Sequence, residues 1–353
     1  MSDKIYRYNL DFEGTADNTA SSKAKEDANT IFIKKGYKNL ITNNFYIKNI
    51  IIRKIINILL GIVAIIRIKT GGYVTVNFPF NTAEKKVIFG FLYKIKKIKN
   101  IKIIVLIHDL ESLRKNKIDS IDNNKEIDFL VKTDIIIAHN RRMIDWLVSK
   151  GISESKIVDL EIFDYLGNFL PSGGEYDGNI IIAGNLDFKK VKYLLQIEKI
   201  KNVKFNLYGP NISQDMLERG NANYFGSFSP DEVPEVIKGM FGLVWDSDSL
   251  KGGDGIFGEY QRYNNPHKAS LYLASEFPII MWSDAALASF IDKNNLGFVV
   301  DSLKQLPEKI DSISESDYMQ MKKNTQQFGE KIRSGYFLSE ALKKAENILE
   351  ENK

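Results

Sequence analysis

At 353 residues the chain is long for a single core and fits two domains. Apolar residues at 44% and charged residues at 27% are the proportions of a soluble globular protein, and the absence of cysteine excludes disulfides, a thiolate nucleophile and thiolate metal sites. Three scattered histidines, His108, His139 and His267, do not make a zinc pattern, and the opening MSDKIYRYNLDFEGTADN has no apolar signal core, which points to the cytoplasm.

The net charge of +4 hides an asymmetry: residues 1–170 carry +9 and the remainder −5. A basic half suggests contact with an anionic surface or acceptor. Nucleic acid is not expected, because no nucleic-acid-binding motif occurs.

Residues 5–12 predict a strand. A Gly-containing loop and a helix with Ala20, Ala24, Ala28 and Ile31 on one face follow. This is a first βα unit, and its loop residues Gly14, Thr15 and Asn18 are site candidates or plain turn residues. The Ile-rich stretch 50–68 is interrupted by Asn57 and flanked by Arg53, Lys54 and Arg67, too short and too charged to span a bilayer. It predicts a buried or interfacial helix. YVTVNFPF predicts a buried strand stopping at Pro79. Residues 84–102 hold seven lysines against one glutamate, interleaved with Phe89, Phe91, Tyr93 and Ile95. A basic amphipathic helix of this kind suits an anionic membrane, although a solvated lysine face has the same pattern.

IKIIVLIHDLESLR reads as a central parallel strand ending in His108, Asp109 and Glu111. Strand-end polar groups overlie the ligand crevice of such sheets. Asp109 is a candidate general base or, alternatively, the N-cap of the next helix, and His108 a hydroxyl ligand. TDIIIAHNRRMIDWLVSKG repeats the unit, with Asn140 as N-cap and Gly151 as C-cap. LGNFLPSGGEYDGN, residues 166–179, is a Pro/Gly/Ser-rich linker.

The second half restarts the alternation. NIIIAGNLDFKK predicts a strand, a turn at Gly184 and Asn185, and a helix beginning near Lys189 and Lys190 that could receive phosphate. Neither a dinucleotide fingerprint nor a P-loop is present, which disfavours an NAD enzyme. KFNLYGPN ends a strand at Tyr208, a ring that could stack on a base. Ser229 as N-cap, Pro230 at N1 and Glu232 at N3 predict a capping box. The stretch WDSDSLKGGDGIFGEYQRYNNPHKASLYLA, residues 245–274, is a Gly-rich acidic loop that meets a helix at Pro266, His267 and Lys268. A lysine in a helix's first turn adds a full charge to the partial one there, a phosphate-binding combination. Asn265 precedes it. Asp254 and Glu259 are candidates for sugar hydroxyls or for a solvated loop. Asp284 predicts an N-cap, and the tail from Glu315 is helical with Phe328, Tyr336 and Phe337 as anchors.

Taken together, NFPF, VLIHDLESLR, AHN, KIVDLEIFDYL, IIAGNLDFKK, LYGPN, YFGSF and GIFGEYQRYNNPHKASLYLASEFPIIMW resemble the bacterial β-1,6-galactofuranosyltransferases of O-antigen synthesis. More distantly they resemble the streptococcal glucosyltransferase 3 group, which extends GlcNAc on serine-rich adhesins. The resemblance implies an α/β, GT-B fold: two Rossmann-like domains facing a cleft, with a C-terminal helix packed back toward the first. It implies an acceptor domain over 1–168, a nucleotide-sugar domain over 176–325 and a helical tail over 326–353. It implies an inverting hexosyltransferase with Asp109 as base, Glu111 as substitute, and UDP near Gly184, Asn185, Lys189 or Lys190, Tyr208 and Lys268, closed over by Gly14 and Thr15. No cofactor or metal is expected, and WDSD (Asp246, Asp248) is taken as a chance likeness to a metal motif. The implied partners are a UDP-sugar donor, most simply UDP-galactofuranose, and a lipid-linked saccharide acceptor. An anionic membrane surface would be met at the inner face of the cell membrane through residues 84–102. A homo-oligomer is compatible with this. The alternatives are a UDP-glucose-dependent transferase acting on a GlcNAc-modified protein and a non-catalytic membrane-bound scaffold.

Overall fold

The structure is a computed structural model that describes residues 5–11, 20–41, 47–79, 82–114, 121–218 and 220–351. Each half builds one sheet of six parallel strands. The first contains β1 (Arg7–Asp11), β2 (Lys38–Ile41), β3 (Tyr73–Phe78), β4 (Lys102–Ile107), β5 (Ile135–Ala138) and β6 (Ile157–Asp159), in spatial order β2-β1-β3-β4-β5-β6. The second contains β7 (Ile180–Ala183), β8 (Phe205–Tyr208), β9 (Ala222–Tyr224), β10 (Phe241–Val244), β11 (Ile279–Trp282) and β12 (Gly297–Val300), in the order β12-β11-β10-β7-β8-β9. Both are doubly wound, and in each the strand order reverses once, between β1 and β3 and between β7 and β10.

The continuous apolar runs follow from burial on both faces. In β4, Ile103, Val105 and Ile107 join one core while Ile104 and Leu106 join the other. The first of these cores is closed by helices Ile50–Ile66, Ala83–Lys99, Ile121–Val131 and Arg141–Ser149. The second is closed by helix Ala20–Lys34 and, from the far end of the chain, helix Tyr336–Glu351, through Leu338, Ala341, Leu342, Ala345 and Leu349. The preceding helix, Glu315–Ser334, spans the 325/326 division and packs on the second sheet through Tyr318 and Ile332. The chain turns at Gly335, so the last two helices straddle both halves.

Asp164 anchors that return. Its two carboxylate oxygens accept the Phe337 and Leu338 amides at 3.1 and 2.8 Å, satisfying the leading N–H groups of the last helix. Burial pushes its carboxyl up to about 7, against the pull of those two amides.

Two local predictions are corrected. Residues after β7 do not start an α-helix; a three-ten segment, Lys192–Lys199, follows instead. Asn185 accepts the Asp187 amide at 3.0 Å and Asp187 the Lys189 amide at 2.8 Å, and such side-chain turns compete with helical bonding. Asp284 does not cap a helix, which begins only at Ala288. Its carboxylate instead lies against Arg142 and Arg262.

Candidate active site

The second sheet reverses its order where β7 and β10 deliver Gly184 and Asp246 to the crevice. Gly184 has φ 127°, and a side chain there would approach Lys268 Cε to 3.2 Å. Glycine therefore admits the Lys268 side chain, which rises from the first turn of helix His267–Ala274. Lys268 Nζ sits 2.6 Å from Asp246 Oδ1, and Lys190 Nζ 3.5 Å from Asp246 Oδ2. Burial works against ionising Asp246, but the Lys190 and Lys268 ammonium groups outweigh it and hold the carboxyl below its ordinary range. Burial likewise draws Lys268 below its usual value. One carboxylate between two ammonium groups leaves net positive charge at a helix N-terminus, an electrostatic receptor for an anion.

Asp109 comes from the opposite sheet, just past β4. Its Oδ1 accepts a hydrogen bond from the Tyr260 hydroxyl at 3.1 Å, and the same hydroxyl accepts the Leu110 amide at 3.1 Å. Tyr260 ends helix Gly255–Tyr260 of the second half, so this contact crosses between the halves. The alternative role of Asp109 as N-cap is not taken. The leading amides of helix Glu111–Arg114 go to Glu126, from Glu111 at 3.2 Å and Ser112 at 2.9 Å. Arg114 lies 3.8 Å from both Asp109 and Glu111. Burial raises the Asp109 carboxyl above its ordinary value, with Arg114, Tyr260 and Lys190 opposing. The Phe257 ring stands 5.5 Å from the Arg114 guanidinium and 5.9 Å from Lys190 Nζ, which joins the carboxylate and ammonium clusters in one cleft.

His108 is buried against Phe163, ring centroids 5.5 Å apart and nearly parallel. Its Nε2 lies 2.9 Å from Asn77 Oδ1. Asn77 donates its own amide to Asn29, which also receives Asn9, while Thr75 donates to Asn9. With the amides in this orientation, Nε2 of His108 carries the proton and Nδ1 is the acceptor. Burial holds His108 well below its ordinary value and His139 and His267 at about 4, so all three rings are neutral near neutral pH.

Other candidates are engaged with partners within the protein. Asn265 is engaged entirely as a joint. Its amide N–H goes to His139 Nδ1 at 3.0 Å, its Nδ2 to the His139 and Glu161 carbonyls at 2.5 and 3.0 Å, and its Oδ1 receives Asn140 at 2.8 Å. It locks the halves together, with both side-chain N–H donors used and its Oδ1 already accepting from Asn140. Tyr208 is buried, its hydroxyl accepts the Lys238 amide at 3.1 Å, and its ring is stacked on Phe225 at 5.0 Å. Phe225, about half exposed, covers the Tyr208 ring from the solvent side. Lys190, not Lys189, reaches Asp246. Asn185 holds turns and accepts Asn211 at 3.0 Å. Asp254 accepts the Ser249 hydroxyl inside its own loop, and Glu259 pairs with Arg262 at 3.1 Å. Gly14, Thr15 and Asn18 lie outside the described residues.

Asp246 of the WDSD run is thus occupied by lysines, and among the described residues no group of three or more His, Asp or Glu could hold a metal ion. Sequence reasoning missed Tyr260, Phe257 and Asp164. A signal existed for Tyr260, since a tyrosine on a short amphipathic turn must place its hydroxyl on some partner when buried.

The glucosyltransferase 3-like family matches this chain twice, its N-terminal domain over residues 6–162 and its C-terminal domain over 180–345. The chain is 33% identical over 331 residues to the β-1,6-galactofuranosyltransferase WbbI of Escherichia coli (strain K12), covering 92% of this chain and 93% of that one. It belongs to the glucosyltransferase 3-like glycosyltransferases. A more divergent relative, Glucosyltransferase 3 of Streptococcus gordonii, is 26% identical over 72% of this chain and 73% of its own. Among solved structures, the glycosyltransferase WaaG of lipopolysaccharide biosynthesis superposes with TM-score 0.55 at 11% identity, over 97% of this chain and 99% of that one. The Escherichia coli trehalose-6-phosphate protein solved with UDP-2-fluoro glucose gives 0.58 at 10%, over 95% and 98%. The fold of this family member is GT-B, and it is a glycosyltransferase. No helix among the described residues is long and apolar enough to cross a membrane.

Proposed function

We propose that this glycosyltransferase transfers galactofuranose, with inversion, from UDP-galactofuranose to a saccharide acceptor of a cell-surface glycan. The observation that carries the reading is the Tyr260 contact to Asp109, beside Lys190 and opposite the Asp246–Lys268 pair. A raised carboxyl at the first sheet and net positive charge at the second are the two parts inversion needs. Asp109 takes the proton of the acceptor hydroxyl, and the freed oxygen attacks the anomeric carbon on the face opposite the diphosphate. The diphosphate departs onto Lys268, Lys190 and the N-terminus of helix His267–Ala274, while Asp246 keeps both ammonium groups aimed at it. Glu111 is the substitute base, and His108 holds an acceptor hydroxyl through Nδ1. Residues 1–168 take the acceptor, 176–325 the donor, and the tail over 326–353 ties the two.

The E. coli galactofuranosyltransferase relative supports the furanose donor, whereas the family description and the streptococcal relatives support UDP-glucose as the second reading. A lipid-linked acceptor and a cytoplasmic, membrane-peripheral location follow the same reading, with residues 84–102 facing anionic lipid. Purified protein offered UDP-galactofuranose and UDP-glucose separately tests it. UDP release with the furanose donor alone is expected, and turnover restricted to UDP-glucose would replace it.

A further inference from the structure

Helix Ile50–Ile66 is apolar on two opposite faces, and the protein covers only one. Gly61, Ala64 and Ile65 are buried against the sheet and the neighbouring helix Ala83–Lys99. A side chain at Gly61 would meet Ile88 at 2.6 Å, so the two helices touch almost backbone to side chain. Lys99 Nζ then donates to the Ile66 and Ile68 carbonyls at 2.6 and 2.7 Å, pinning their far ends together. On the outward side, Ile52, Ile55, Leu59, Val63 and Ile66 recur at helical spacing and stand in solvent, Leu59 at 56% exposure. A helix that is apolar all round is ordinarily buried. An exposed stripe of this size calls for a cover.

The surroundings indicate what covers it. Arg53 and Arg67 border the stripe, Lys54 lies toward Glu84 at the start of the helix beside it, and on that helix Lys86, Lys94 and Lys97 are exposed together with Ile98 at 77%. The other lysines of that helix are partly diverted, Lys96 to Asp134 at 2.8 Å and Lys99 as above. Both helices are successive crossovers of a parallel sheet stepping in one direction, from β2 to β3 and from β3 to β4, so they lie in one layer. Each starts at the carboxyl ends of the strands, the edge that also carries Asp109.

We propose that the Ile50–Ile66 stripe is the membrane-inserting surface of this enzyme, lying in the plane of an anionic bilayer with the lysines of Ala83–Lys99 as its basic rim. This deepens the membrane-peripheral reading above and moves its centre from the lysine helix to the isoleucine helix. Apolar insertion plus attraction to anionic headgroups is the combination that holds interfacial helices. It would set the cleft edge beside a lipid-linked acceptor.

The test is co-sedimentation of the full chain with phosphatidylglycerol vesicles and with phosphatidylcholine vesicles, alongside analytical ultracentrifugation without lipid. Preferential binding to phosphatidylglycerol is expected. Ile55→Asp/Leu59→Asp should lower it at least about tenfold, with turnover on a soluble acceptor and Tm unchanged. Lys86→Glu/Lys94→Glu/Lys97→Glu should weaken binding and remove its salt dependence. Loss in the lysine variant with normal binding by Ile55→Asp/Leu59→Asp would overturn the proposal while leaving the lysine-helix reading in place. A wild-type dimer that ignores vesicles and dissociates in Ile55→Asp/Leu59→Asp would also overturn it, by assigning the stripe to a second copy. So would a monomer that binds neither vesicle. None of these outcomes depends on which sugar is moved.

Discussion

The two crevices are built from the same parallel winding but are lined with opposite chemistry. At the first sheet the buried polar groups are mostly neutral: Asn9, Thr75, Asn77, Asn29 and His108 pass hydrogen bonds along a chain, and Asp109 stands at its edge. At the second sheet they are ionic, with Asp246 between Lys190 and Lys268. Neutral amides recognise hydroxyls at small desolvation cost, whereas a departing diphosphate needs full charges held in a low-dielectric setting. Under the proposed function, the neutral wall would take the sugar acceptor and the ionic wall the departing anion.

The comparison breaks first at Asp109. Asp109→Asn keeps the shape and removes the base, so turnover should fall about 10³-fold while UDP binding by calorimetry stays near wild type. Loss of UDP affinity in that variant would mean that the carboxylate belongs to the donor wall. Lys268→Ala is the reciprocal cut. It leaves Asp246 buried with Lys190 still beside it, and breaking such a pair costs about 3–5 kcal/mol, discounted here by that remaining partner. UDP affinity should fall at least about tenfold with a lower Tm, and Lys190→Ala should show the milder version of both.

A smaller effect concerns how the walls are joined. Asp164→Ala removes the cap of helix Tyr336–Glu351, and thermal denaturation should report a loss of about 1–2 kcal/mol. The Asp164 carboxyl is raised to about 7, so the folded state binds more protons than the unfolded one between its ordinary value of 3.8 and that point. Its contribution to stability therefore falls as pH rises through this window, and Asp164→Ala should flatten the decline.

The subtlest test is the pH–rate profile. With all three histidines neutral, the acid limb should belong to Asp109 and lie above the ordinary carboxylate range. The Tyr260 hydroxyl favours the ionised form of Asp109, so Tyr260→Phe should move the limb to higher pH with a modest loss of kcat. An unmoved limb would show that Asp109 is not the group being titrated.

Much of this was legible before any coordinates. The alternation of apolar runs and 3.6-periodic segments is local, and it sufficed for the two sheets. Strand-end carboxylates and a lysine one residue into a helix are also local features, which is why Asp109, Glu111 and Lys268 stand out as candidates in the sequence. The errors have a common cause. Asn265 and Asp284 look like caps or ligands in isolation, but their partners are 126 residues away at His139 and 142 residues away at Arg142. Tyr208 is an exposed-looking strand end only until Phe225 covers it.

The sequence by itself determined the doubly wound halves, the polar strand ends and the separation of basic from acidic chain, because these depend on periodicity and composition. Tertiary structure alone decided that Lys190 and not Lys189 meets Asp246, that Tyr260 crosses to Asp109, and that the last helix returns to the first sheet. It also decided which face of the isoleucine helix is left in water. Each of these is a pairing between residues far apart in the chain, and pairing is settled by which surfaces are buried together, not by any local pattern.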